Sequence, residues 1–221
     1  MKFIIPAKCS SSRLIDKNWR EFHNGRSLVE IKIEQLKKVT SADNIFVACE
    51  DESKRSIVEN YGAKFLFRSA DSCQDEMHWC DVVTGLIRLV PCDDDEEIAF
   101  VLATTPLFDD YSGVLDKWAA VKVDFDCILT AKVMQHYMID QEARPVNFSY
   151  GRWHGWSQGL PKWYVLGHAI HIMKKSRFLE LEYYIGTNSY VYEMLGPSID
   201  IDHPEEFKVA QILFDLKHND H

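Results

Sequence analysis

Short apolar runs alternate with longer amphipathic stretches through most of this sequence, and that alternation confines the chain to a layered α/β architecture. Lys2 to Ala7, Asn44 to Cys49, Ala63 to Phe67, Ile98 to Ala103 and Cys127 to Lys132 read as buried strands. Between them, Leu28, Ile31, Ile33, Leu36 and Val39 fall at helical spacing, as do Val82, Val83, Leu86, Leu89 and Val90. Val114, Trp118 and Val121 mark a further helical face. Strands that alternate with helices, mostly without hairpin signals, imply a largely parallel sheet covered on both faces. Such sheets bind ligands beyond the carboxyl ends of their strands, which directs attention to the loops after Ala7, Cys49, Phe67 and Ala103.

The pattern lapses over 137–164, where Pro145, Gly151, Gly155, Gly159 and Pro161 are interspersed with Trp153, Trp156 and Trp163. This stretch predicts an irregular excursion or small antiparallel arm, serving as a subunit contact, a substrate lid or a local satellite core. Regular structure resumes with Val165 to Ile172, a short helix near Lys174, a strand over Tyr190 to Tyr192 and a final helix from Pro204. With 221 residues, the expectation is one domain over 1–221 with that arm inserted in it.

A formal charge of −9 excludes a general nucleic-acid surface, although a local cluster of Lys and Arg can still hold one nucleotide. No apolar run approaches the length of a membrane span or a signal segment. The six cysteines include no CxxC pair, which predicts reduced thiols and a cytoplasmic protein. Cys73, His78 and Cys80 could supply three zinc ligands, but their helical context favours core packing.

Two stretches carry chemistry. The first strand runs directly into Lys8-Cys9-Ser10-Ser11-Ser12-Arg13-Leu14-Ile15-Asp16-Lys17-Asn18. Small residues after a first parallel strand let backbone N–H groups approach an anion, and Lys8, Arg13 and Lys17 add positive charge along the same loop. That combination suits a triphosphate, whose charge must be countered before a nucleophile reaches phosphorus. The loop lacks the Gly-Lys-Ser/Thr ending of a Walker A motif. Near the other end stands Ser198-Ile199-Asp200-Ile201-Asp202-His203-Pro204-Glu205-Glu206-Phe207. Alternation on a strand places Asp200 and Asp202 on one face, where two carboxylates can hold Mg²⁺ with substrate phosphates completing the shell. Asp202 or His203 could instead cap the helix that Pro204 opens, a role that leaves Asp200 unexplained.

These two ends, with the elements between them, resemble the acylneuraminate cytidylyltransferases and, more distantly, the synthetases that make CMP-activated octulosonate. The matching elements are Ile5 to Asn18, Gly25-Arg26-Ser27-Leu28, Arg68, Asp81-Val82-Val83, Leu102-Ala103-Thr104-Thr105-Pro106-Leu107-Phe108 and Asp200 to Phe207. They occur in the family's order over nearly the whole chain. The resemblance implies a Rossmann-like three-layer α/β/α nucleotidyltransferase fold with a mostly parallel sheet and a small dimerisation or lid excursion. It implies a nucleotide site of Ala7, Lys8, Ser10, Ser11, Arg13, Lys17, Asn18, Arg68 and Thr104, with Asn18 and Arg68 at the cytosine. It also implies Mg²⁺ on Asp200 and Asp202, Lys17 beside the α-phosphate, CTP and a small acidic acceptor as partners, and a homodimer.

The sequence departs from the family pattern at Ser10, Ser12, Leu102, Phe108 and Leu166-Gly167-His168. Several of these fall where the resemblance places the acceptor. Loss of hydrogen-bonding side chains there points away from ordinary sialic acid, toward another nonulosonate or a phosphonate or phosphate compound. Lys132, His136, Arg144, His168 and His171 are the candidates for meeting its anionic group. Two other readings stand beside this one: a metal-dependent nucleotide-sugar glycosyltransferase, and a non-catalytic nucleotide-binding protein of the same fold.

Overall fold

The computed structural model describes residues 1–74 and 76–219. In chain order, β1 (Lys2–Pro6) leads through a long loop to a small hairpin of β2 (Glu21–His23) and β3 (Arg26–Ser27), and then to α1 (Leu28–Leu36). Next come β4 (Ile45–Cys49), α2 (Arg55–Asn60), β5 (Lys64–Phe67), α3 (Trp79–Leu89), β6 (Glu97–Val101) and α4 (Tyr111–Val121). β7 (Cys127–Met134), β8 (Trp163–Lys174), α5 (Lys175–Leu181), β9 (Ser189–Glu193) and α6 (Pro204–Asn219) complete the described chain. Ser27 starts α1 with a capping box: its hydroxyl accepts the Glu30 N–H at 3.3 Å while the Glu30 carboxylate accepts the Ser27 N–H at 2.7 Å.

Seven strands form one sheet in the order β5-β4-β1-β6-β8-β7-β9. β5, β4, β1 and β6 pair in parallel; β8 runs antiparallel between β6 and β7, and β9 returns to parallel pairing with β7. The predicted mostly parallel sheet is therefore present, with β8 as its one reversed strand. Alternation along β1 divides the interior into two cores. Phe3 and Ile5 pack on one face with residues of α1, α4 and α6, while Ile4 packs on the other with α3 and Phe178 of α5. Helices thus cover both faces, giving three layers.

The chain builds outward from β1 to β4 and β5, then crosses back to place β6 on the other side of β1. The carboxyl ends of β1 and β6 therefore form a topological switch point, where connecting loops diverge and leave a crevice. Part of the 137–164 excursion is regular, since β7 and β8 run on past the sheet and pair Val133 with Tyr164 and Met134 with Trp163. Tyr137, Phe148, Tyr150 and His154 make ring contacts with one another in this arm, whereas Trp153 and Trp156 are 82% and 85% exposed. The arm thus combines a small aromatic core with two indoles turned to solvent. No helix among the described residues is long and apolar enough to cross a membrane.

The segment 198–202 forms no strand, contrary to the sequence expectation. Its backbone is tied to the loop after β6 by the Ile201 N–H, which donates to the Thr104 carbonyl at 2.9 Å. The alternation still holds: Ile201 is fully buried, while Asp200 and Asp202 both face the crevice.

Candidate active site

A cleft of about 470 Å³ occupies the switch point, and Lys8, Ser11, Arg13, Lys17, Asn18, Arg68, Thr104, Asp200 and Asp202 all line it. The loop after β1 is fixed from below by its own backbone. The Asn18 amide donates to the Lys8 carbonyl at 3.1 Å and the Trp19 indole donates to the Ala7 carbonyl at 2.9 Å. Asp16 turns the loop through the left-handed region at φ 54°, a conformation that Asp tolerates, just before Lys17 enters the cleft.

Lys17 is nearly buried, and its ammonium donates to the Ile201 carbonyl at 2.6 Å and to Asp202 Oδ1 at 2.9 Å. Arg13 meets the same carboxylate with both terminal nitrogens, at 3.0 Å to Oδ1 and 2.9 Å to Oδ2. Partial burial opposes ionisation of Asp202, but the hydrogen bond and charge of Lys17, with Arg13 behind them, hold its carboxyl below the usual range. Asp202 is therefore an ionised hinge between the first loop and the C-terminal segment. It does not cap α6. That end is closed by Glu206, whose Oε2 accepts the N–H groups of Asp202 at 2.7 Å and His203 at 2.8 Å.

Asp200 accepts a short hydrogen bond of 2.5 Å from Thr104 Oγ1, which sits in the loop after β6. That loop is held from the core by Lys32, whose buried ammonium donates to the Thr105 carbonyl at 2.9 Å and to the Tyr111 hydroxyl at 2.6 Å. Asp200 and Asp202 offer hard oxygen donors facing the Lys- and Arg-lined loop, a donor set that fits Mg²⁺ with phosphate oxygens as its further ligands. Two polar atoms in the cleft wall stand out. Asn18 Oδ1 and Arg68 Nε are buried and have no hydrogen-bond partner among the described residues. Buried polar groups are normally paired, so an unmatched acceptor and donor lining one cleft point to a ligand that completes them.

Other candidates fall elsewhere. Ala7 is buried and spends its N–H on the Ala48 carbonyl and its carbonyl on Trp19. Ser10 lines a neighbouring cavity with Glu50 and Cys73. Lys132 and His136 line a separate cavity of about 320 Å³ that shares Asp200 with the main cleft. Arg144 is committed to the arm, where it pairs with Asp140 at 2.7 Å and Glu142 at 2.7 Å. His171 is fully buried, and burial, assisted by His168, pushes its pKa down to about 3, so it stays neutral and cannot counter an anion. His168 takes φ 53° beside the irregularity in the β7–β8 register, and its ring lies 5.9 Å from His171 and 6.0 Å from Tyr184. Cys73 is buried, as core packing predicts, and Cys80 is half-buried; Cys73, His78 and Cys80 do not group as metal ligands among the described residues. The sequence reading missed Gln74, Met77 and Trp79, which complete the cleft wall. They belong to no motif. Only the rule that loops at strand ends bind ligands could have drawn attention to the segment after β5.

This sheet order and its switch-point cleft define an α/β fold that matches solved nucleotidyltransferase structures. The cytidylyltransferase family model matches residues 2–109, just under half of the chain. An 8-amino-3,8-dideoxy-manno-octulosonate cytidylyltransferase of Shewanella sp. (strain W3-18-1) is 29% identical over 106 residues, covering 48% of this chain and 41% of that protein. An N-acylneuraminate cytidylyltransferase of Escherichia coli O18:K1:H7 (strain RS218 / NMEC) is 24% identical over 222 residues, covering 94% of this chain and 50% of that protein. The matches thus span half or less of these relatives' own length. Among solved structures, a CMP:2-keto-3-deoxy-manno-octonic acid synthetase complexed with CTP matches with a TM-score of 0.68 and 14% identity over 98% of both chains. A 4-diphosphocytidyl-2C-methyl-D-erythritol synthase from Anaerococcus prevotii DSM 20548 matches with a TM-score of 0.63 and 11% identity, covering 97% of this chain and 98% of that one. Likeness at such low identity speaks for the fold.

Proposed function

We propose that the protein transfers the cytidylyl group of CTP to a small acidic acceptor, a 2-keto sugar acid or a related phosphonate or phosphate, with release of pyrophosphate. The observation that carries this reading is the unmatched pair Asn18 Oδ1 and Arg68 Nε in the wall of the cleft that also holds Lys17 and Asp202. An acceptor and a donor, fixed and buried, suit the exocyclic amine and the carbonyl of a cytosine edge. The names of the relatives, which act as cytidylyltransferases on octulosonate and acylneuraminate compounds, point the same way.

In the reaction, an acceptor oxygen forms a bond to the α-phosphorus while the bond to the bridging oxygen of pyrophosphate breaks. Catalysis of such a step is mainly positioning and charge neutralisation. Lys8, Ser11 and Arg13 are assigned to the phosphates, and Lys17, oriented by Asp202 and the Ile201 carbonyl, to the α-phosphate. Mg²⁺ held by Asp200 and Asp202 would supply further countercharge to the phosphates. Asp200 borders both the main cleft and the cavity of Lys132 and His136, and this reading assigns the acceptor's anionic group to that cavity. The exposed indoles Trp153 and Trp156 are assigned to contact with a second copy of the chain.

The test is pyrophosphate release from each nucleoside triphosphate with Mg²⁺, against a panel of 2-keto sugar acids and phosphonates. Release confined to CTP and dependent on an acceptor is expected. Equal release from every nucleotide, or none from CTP with any acceptor, would overturn the reading, and sugar transfer from a nucleotide-sugar would favour a glycosyltransferase.

A further inference from the structure

Beside the phosphate-facing loop lies a second group of potential ligands that the cytidylyl reading does not use. Cys49 ends β4 and is fully buried, Glu50 follows it, and Cys9 stands in the loop that leaves the neighbouring strand β1. The sulfurs of Cys9 and Cys49 are 3.6 Å apart. Cys49 Sγ lies 3.7 Å from Glu50 Oε2. Among the described residues, this is the one group of at least three His, Cys, Asp or Glu side chains whose ligand atoms all lie within 4.8 Å of one another.

The spacings are those of a coordination shell. Zinc–sulfur bonds of about 2.3 Å and a zinc–oxygen bond of about 2.1 Å at the tetrahedral angle separate two sulfurs by about 3.8 Å, and sulfur from oxygen by about 3.6 Å. The observed 3.6 Å and 3.7 Å are two edges of that tetrahedron. The carboxylate is also braced as a ligand needs to be. Glu50 Oε1 accepts the backbone N–H groups of Cys9 at 2.8 Å and Ser10 at 3.1 Å, which leaves Oε2 turned toward the sulfurs. A hydrogen-bonded turn accounts for Oε1, but it does not require the Cys49 thiol to meet the other oxygen with the Cys9 thiol against it. The group is approached through Glu50, which with Ser10, Ser11, Ser12, Cys73 and Gln74 lines an open cavity of about 440 Å³.

We propose that Cys9, Cys49 and Glu50 bind a thiophilic divalent cation of the zinc type, at a site separate from the hard-oxygen pair Asp200 and Asp202. Both thiols lose their protons to solvent as the metal–sulfur bonds form, and the fourth position opens toward the cavity. Because Cys9 directly follows Lys8, an ion here ties the phosphate loop to the end of β4. The soft sulfur donors discriminate against Mg²⁺, so the two sites take different ions from one solution.

The experiment uses the full chain, reduced and stripped of metal with a chelator, titrated with Cd²⁺ and followed by the ultraviolet thiolate-to-metal charge-transfer band. One Cd²⁺ per chain is expected, displaced by Zn²⁺ and untouched by excess Mg²⁺. Cys9→Ser, at a half-exposed position that spares the core, abolishes the band and weakens Zn²⁺ binding by about 100-fold or more. Glu50→Gln keeps the band and weakens Zn²⁺ by about 10–100-fold, and Cys92→Ser changes neither. Absence of the band in the unsubstituted chain, its survival in Cys9→Ser, or its loss in Cys92→Ser would overturn the assignment. These readouts are of metal binding and not of turnover, so they stand or fall independently of the cytidylyl reaction.

Discussion

Replacing Asp202 with Asn removes the charge that two cations share while nearly preserving shape. In the structure the Asp202 side chain is 36% exposed, Lys17 11% and Arg13 55%. Breaking a fully buried pair costs about 3–5 kcal/mol, and losing an exposed pair costs about 0.2–1 kcal/mol. The triad lies between these limits, and solvent screening of Arg13 brings it toward the lower one, so a loss of about 1–2 kcal/mol is expected. For a domain of this size that lowers Tm by about 2–8 °C. The pH dependence separates charge from shape. Lys17 and Arg13 hold the folded carboxyl below the usual range. The ordinary unfolded value is about 3.9, so the stabilisation is fully present above it and is lost as pH falls through the lower folded value. Thermal unfolding of the two proteins should therefore differ at pH 7 and converge on acidification. No difference at pH 7, or a difference that persists unchanged in acid, would refute the reasoning. Turnover in the proposed reaction should also fall by about 100-fold or more, because Lys17 loses its anchor beside the phosphate.

Other perturbations follow from the same geometry. Arg68→Met should weaken CTP binding measured by calorimetry by about 10–100-fold while leaving thermal stability nearly unchanged, since Arg68 Nε has no hydrogen-bond partner among the described residues. Burial pushes the Lys32 ammonium down to about 7, whereas an unfolded lysine titrates near 10.4. The unfolded chain thus binds more protons between those values, and stability should rise with pH by up to about 1.4 kcal/mol per unit, a rise that urea unfolding of Lys32→Met should lack. Replacing Trp153 and Trp156 together with Ser should shift sedimentation toward the monomer with no loss of thermal stability, because both indoles project into solvent.

Much of the fold was legible because its cause is periodic. The alternation of Phe3, Ile4 and Ile5 fixes which residue faces which core, and the same alternation turned Asp200 and Asp202 toward one cleft even though no strand forms there. The direction of β8 was not legible. A two-residue period reads the same in either direction, and only the pairing of Ile98 with Met173 and Ile128 with Ile172 reveals the reversal. The loop after β1 could be read as lining the cleft from its charges and small residues, whereas the acceptor candidates were chosen by chemistry alone. His171 sits in an unbroken buried run from Ala169 to Met173, and Arg144 has acidic neighbours at Asp140 and Glu142 ready to neutralise it. Both neighbourhoods are written in the sequence, and weighing them would have removed those two residues from the site.

The salt bridge between Lys17 and Asp202 joins positions 185 residues apart. Closing a flexible loop of that length costs about 4–5 kcal/mol in chain entropy, more than the bridge returns, so the bridge forms after the sheet has already brought its ends together. A ribosome-bound chain that has made β1 through β6 can assemble most of the basic loop, but it has no carboxylate to orient Lys17. Competence for the proposed chemistry therefore arrives as a late event of synthesis, and fragments that stop short of Asp200 should bind nucleotide poorly and turn none over.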